Sequence, residues 1–100
     1  MKSLRGFIFV LFMIFAMSAF AVNGKDLYKK CVACHGTDGT KSALGVGAPL
    51  KGQKEKTLYK KMKGYLDGSY GGTKKGIMKR NLAKYSDVEL KALAIYIATL

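Results

Sequence analysis

Histidine and proline occur once each in this chain, cysteine twice, and acidic residues only six times in 100. A structural zinc site takes four ligands. The cysteines and the histidine supply three, with no second C-x-x-C and no H-x-H pair. The two cysteines stand three positions apart, so a disulfide between them would close a loop too short to restrain much of the unfolded chain. No segment alternates as a half-buried strand does, and no internal repeat is present. Against six acids stand 18 basic residues, a formal charge of +12. Such a surface attracts nucleic acid, anionic membrane or an acidic protein.

The apolar residues are unevenly placed. Lys2 and Arg5 precede an unbroken apolar or small run, GFIFVLFMIFAMSAF, which closes on the small-x-small triplet Ala19-Phe20-Ala21. This is the pattern of a secretory signal peptide covering residues 1–21, with cleavage expected after Ala21. The competing reading is a retained anchor, for which the run falls short of about 20 apolar residues. Residues 22–100 then form a single small domain, and the 18 basic residues fall to 16 once Lys2 and Arg5 are set aside. Export and the dispersal of the lysines argue against nucleic acid as a partner. Domains of this size bury little surface and usually add a disulfide, a metal or a cofactor.

Three helices are expected. The first spans about residues 24–32, started by Asn23 or Gly24, with Leu27, Tyr28 and Cys31 at helical spacing. The second spans about residues 55–66, with Leu58, Tyr59, Met62, Tyr65 and Leu66 as its apolar stripe and Asp67-Gly68 as its stop. The third follows the capping box Ser86-Asp87-Val88-Glu89, with Leu90, Leu93, Ala94 and Ile97 on one face. A further short turn of helix is expected near residues 81–84. Between these lie GTDGTKSALGVGAPLKGQ and GSYGGTKKGIM, two glycine-rich stretches without periodicity. Loops this long are uncommon in a compact small domain unless they wrap something. A large apolar cofactor would supply both the missing core and the object wrapped.

The motif that names such a cofactor is Cys31-Val32-Ala33-Cys34-His35, the C-x-x-C-H attachment signature of c-type haem. Two thiols on one helical turn lie on the same side at about the separation of the two vinyl groups they alkylate. The adjacent imidazole is then placed to reach the iron. A thioredoxin-like pair would need a βαβ context that is missing. A plain disulfide leaves His35 without a role.

With GKDLYKKCVACHG at the front, GAPLKGQ in the middle and GIMKRNLAKYSDVELKALAIYIATL at the end, residues 24–100 resemble a small class I, monohaem cytochrome c of the bacterial periplasmic kind. The resemblance implies an all-α fold of three to four helices, its loops wrapped round one covalently bound haem c. It implies thioether bonds from Cys31 and Cys34, with His35 as the proximal iron ligand. Pro49 would offer its carbonyl to the other nitrogen of His35, and Leu50 would pack on the ring. A ligating histidine needs such an acceptor to fix its orientation. Gly24, Tyr28, Leu93 and Tyr96 match the family's crossing of first and last helices. The sixth ligand falls to one of the two methionines outside the signal. Met62 sits in the stripe of the middle helix, which is a core position. Met78 sits in the loop TKKGIMKR beside Gly76, and is the expected ligand. Lys79 stands where many relatives have a proline, which implies a more labile iron–sulfur bond.

His/Met ligation implies a one-electron carrier and not an enzyme. The chain has no second histidine to serve as a distal acid or base. The resemblance further implies a monomer in the periplasm that serves membrane respiratory complexes, a quinol-oxidising complex and a terminal oxidase. Acidic patches on them would meet its lysines. Lys29, Lys30, Lys41, Lys51 and Lys79 are the docking candidates nearest the ligating segments. Two other readings are a gas-binding or sensing cytochrome with a displaceable Met78, and a dedicated electron donor to a periplasmic peroxidase.

Overall fold

The computed structural model describes residues 22–45 and 47–100. The expected signal peptide, residues 1–21, lies outside the described residues. The element order is α1 (Gly24–Tyr28), α2 (Val32–His35), a 3-10 turn (Ala43–Gly45), α3 (Glu55–Asp67), α4 (Lys75–Leu82) and α5 (Asp87–Ala98). Among the described residues the architecture is all-helical, as expected.

Local chemistry sets most of the boundaries. The Asn23 side chain accepts the backbone N–H of Lys25 and caps α1. α3 stops at Gly68, which takes the left-handed conformation (φ 85°, ψ 1°) that costs a side chain most. α5 opens on the anticipated capping box. Ser86 Oγ accepts from Glu89 N at 3.2 Å, and Glu89 Oε1 accepts from Ser86 N at 2.9 Å. The first helix is shorter than its periodicity suggests. After Tyr28 the chain tightens into a turn held by bonds from Lys29 N to Asp26 O and from Cys31 N to Tyr28 O, and α2 follows as a separate element.

Among the described residues the core is one cluster of Tyr28, Leu58, Met62, Leu82, Leu90, Leu93, Ala94 and Ile97. α5 supplies four of these and is the axis on which α1 and α3 pack, while α4 packs on α3. The crossing of α1 and α5 is as close as two backbones allow. A Cβ on Gly24 would overlap the carbonyl of Ala92 and lie 2.8 Å from Tyr96 Cβ. The Tyr28 and Tyr96 rings meet beside it, centroids 5.5 Å apart. This is the pairing expected of Gly24, Tyr28, Leu93 and Tyr96. Gly24→Ala therefore overpacks a contact with backbone, which cannot rotate away. It is expected to cost about 1–3 kcal/mol, read as a lower denaturation midpoint at unchanged m-value.

The expected loop around Met78 is a correction. Residues 75–82 form α4, which absorbs both Gly76 and Met78 and extends the short turn expected near 81–84. Glycine inside a helix costs about 1 kcal/mol relative to alanine. Burial of Leu82, 2% exposed, and the packing of Met78 one turn before it on the core offset that cost.

Candidate functional site

The C-x-x-C-H turn is built by α2 and the turn before it. Cys31 is the N-cap of α2 and its carbonyl accepts from the N–H of Cys34 and of His35, so one turn carries all three side chains. Gly36 ends α2 at φ 82°, and its carbonyl takes the Tyr28 hydroxyl at 2.5 Å, which ties the motif to the α1–α5 crossing. Gly39 (φ 73°) accepts from Leu50 N at 2.8 Å and Lys51 N at 3.0 Å, and so brings the Pro49 loop back against the motif.

These elements surround a cavity of roughly 540 Å³. Cys31, Cys34, His35, Leu50 and Met78 all line it. Five expected site residues, drawn from three separate stretches of sequence, thus border one cavity. Pro49 does not: its neighbours Ala48 and Leu50 line the cavity, while Pro49 is exposed and its carbonyl accepts from the Gln53 side chain at 2.8 Å. Met62 joins Met78 in the lining. The sequence reading missed Tyr65, Tyr70, Asn81 and Tyr85 as lining residues. A sequence signal exists for Tyr70, which lies inside the second glycine-rich stretch, and for Tyr65, which belongs to the apolar stripe of the helix before it; Tyr85 carries none.

The electrostatics suit a soft-metal, ring-shaped guest. His35 is only 7% exposed, and among the described residues neither of its ring nitrogens has a hydrogen-bond partner. Buried polar atoms are almost always paired, so two orphaned nitrogens on one imidazole mark a coordination position. Burial pushes the His35 pKa below its ordinary value, which favours the neutral imidazole that ligates iron. Burial, and next the neighbouring Cys34, push the Cys31 thiol up. The walls are mainly apolar, from Leu50, Leu58, Leu82, Leu93 and Ile97, with the Lys61 ammonium available to a carboxylate of the guest.

Two thiols one turn apart, a partnerless imidazole beside them and two thioethers on the cavity wall define a protein that encloses a covalently attached haem. The chain belongs to the cytochrome c family, whose profile, described as Cytochrome c, matches residues 21–100. It is 55% identical over 83 residues to a cytochrome c-553 of Nitratidesulfovibrio vulgaris, covering 83% of this chain and 81% of that one. It is 38% identical over 86 residues to a cytochrome c-553 of Helicobacter pylori, with 86% of each chain covered. A cytochrome c-553 of Desulfomicrobium norvegicum is 36% identical over 77 residues, covering 76% of this chain and 94% of that one.

The protein is a c-type cytochrome, an electron carrier holding haem c. The bound group supplies a one-electron couple at its iron. The chain offers that group a cavity walled mainly by apolar side chains.

Proposed function

We propose that the chain is exported, loses residues 1–21, and shuttles single electrons in the periplasm between membrane complexes that present acidic patches. Cys31 and Cys34 hold the haem by thioether bonds, His35 is the proximal ligand, and Met78 completes the iron's coordination. Leu50 packs on the ring. The leader carries the export half of this reading, and intact mass of the purified protein checks it: a chain beginning at Met1 would overturn it.

The docking half rests on one observation. Lys30, Lys61, Lys74, Lys75 and Lys84 line the same cavity as the ligating residues, with no acidic residue among them. Electron-transfer encounters are small and electrostatically steered, so cations at the rim are where steering acts. This shifts weight among the docking candidates. Lys30 remains. Lys29 pairs with Asp26 at 3.3 Å, and Lys41 donates to the Ala33 carbonyl at 3.0 Å. Lys51 and Lys79 are exposed but lie outside the lining. Lys74, Lys75 and Lys84 take their place.

A Lys74→Gln, Lys75→Gln, Lys84→Gln variant is expected to react more slowly with an acidic redox partner by a factor of about 10 at low salt. The two proteins should converge as ionic strength rises and the Debye length shrinks. Stopped-flow rates against salt read this directly, and a native rate indifferent to salt would end the steering reading.

A further inference from the structure

Among the described residues every lysine and arginine side chain is exposed except Lys61, which is half-buried in the cavity wall. None of the three ion pairs among the described residues includes it. Its ammonium lies 5.6 Å from the centroid of the Tyr70 ring and donates to Gln53 Oε1 at 2.7 Å. The other end of the same amide, Gln53 Nε2, donates to the Pro49 carbonyl at 2.8 Å. The chemistry fixes the orientation of that amide. An ammonium only donates and a carbonyl only accepts, so Oε1 must face Lys61 and Nε2 must face Pro49.

We propose that Lys61 and Gln53 are positioning residues: a two-bond strut from α3 that aims the Pro49 carbonyl and weakens it as an acceptor for His35, thereby raising the electron affinity of the bound haem. The inference rests on the reading of Pro49 as the His35 acceptor. The hydrogen bond a ligating histidine gives to its acceptor raises the basicity of the imidazole, and a more basic ligand favours ferric iron. The Pro49 carbonyl accepts from Gln53 here and keeps a second lone pair, which His35, without a partner among the described residues, would take once it ligates the haem. The bond from Gln53 is polarised by the ammonium behind it, as linked hydrogen bonds polarise one another. It draws density from the carbonyl and leaves less for His35. Backbone bonds to Gly39 place the loop, and the bond from Gln53 is the one the Pro49 carbonyl itself receives among the described residues.

The test uses the haem-loaded protein, Gln53→Leu, Lys61→Met and the double variant. Gln53→Leu leaves the net charge unchanged. It is expected to lower the equilibrium constant for reduction roughly three- to tenfold, tenfold being about 59 mV for one electron. In the ferrous protein it should also move the proton resonance of His35 Nδ1–H downfield, as that hydrogen bond strengthens. Lys61→Met should shift the potential the same way, and the effect of Gln53→Leu should shrink in its background. A slowly exchanging Nδ1–H resonance in the unaltered ferrous protein supports Pro49 as acceptor, and its absence overturns that underlying reading. With the resonance present, a Gln53→Leu protein that melts earlier but keeps both potential and resonance unchanged overturns the strut as a tuning device. Lys61→Met supplies the same readouts if Gln53→Leu does not accumulate.

Discussion

A Cys31→Ser, Cys34→Ser double variant is expected to lose its helical circular dichroism together with its haem. Five of the eight buried hydrophobic residues, Leu58, Met62, Leu82, Leu93 and Ile97, also line the cavity. The core is therefore a shell whose inner face is the haem site. At about 24 cal/mol per Å³ of unfilled core, a volume of roughly 540 Å³ corresponds to ~13 kcal/mol. That is an upper bound, because lysines rim the cavity and water enters it. The entire stability of a domain is only about 5–15 kcal/mol, so even a fraction of that bound is a large share of it. Serine is close to cysteine in size and removes the sulfur that makes the thioether; a Cys31→Ala, Cys34→Ala variant controls for the more polar hydroxyl. Far-UV circular dichroism with visible absorbance reads the outcome. A haem-free variant that keeps a cooperative melt would show that the helices pack on their own.

How much of this was legible in the sequence depended on whether a signal was local. The caps of α3 and α5 were, because Gly68 and the Ser86–Glu89 box act through backbone geometry within a few residues. The C-x-x-C-H turn was legible for the same reason. The end of α1 was not. Leu27, Tyr28 and Cys31 keep helical spacing through the tightened turn, so periodicity does not register the break. α4 was hidden by Gly76 and the paired Lys74 and Lys75, which suggest a loop, while the contacts that stabilise a helix there come from α3 and the core. The four-residue step from Met78 to Leu82 was the available clue. The strut through Gln53 was out of reach, because its far end, Lys61, is eight residues on and lies among lysines that look alike in sequence.

Met78→Ala is expected to open the sixth coordination position and convert a low-spin protein to one that binds carbon monoxide when reduced. Both thioethers outside the leader line the cavity, so position alone leaves two candidates. Their surroundings separate them. Met62 is 7% exposed and belongs to the buried cluster of α3, where a flexible thioether fills core volume. Met78 is half-buried, packs against that cluster from outside, and sits on α4, distant from the C-x-x-C-H turn in sequence but on the same cavity. Loss of a thioether ligand removes a group that favours ferrous iron. The potential of Met78→Ala should fall by on the order of 0.2 V, a quarter of the ~0.8 V that axial ligands span. The methionine-to-iron charge-transfer band should vanish with it. Met62→Leu, a volume-conserving change, should keep that band and stay indifferent to carbon monoxide, at a stability cost below about 1.5 kcal/mol. The two spectra thus decide the ligand between them. If Met62→Leu loses the band while Met78→Ala retains it, the iron is held from α3 and α4 is only the wall of the site.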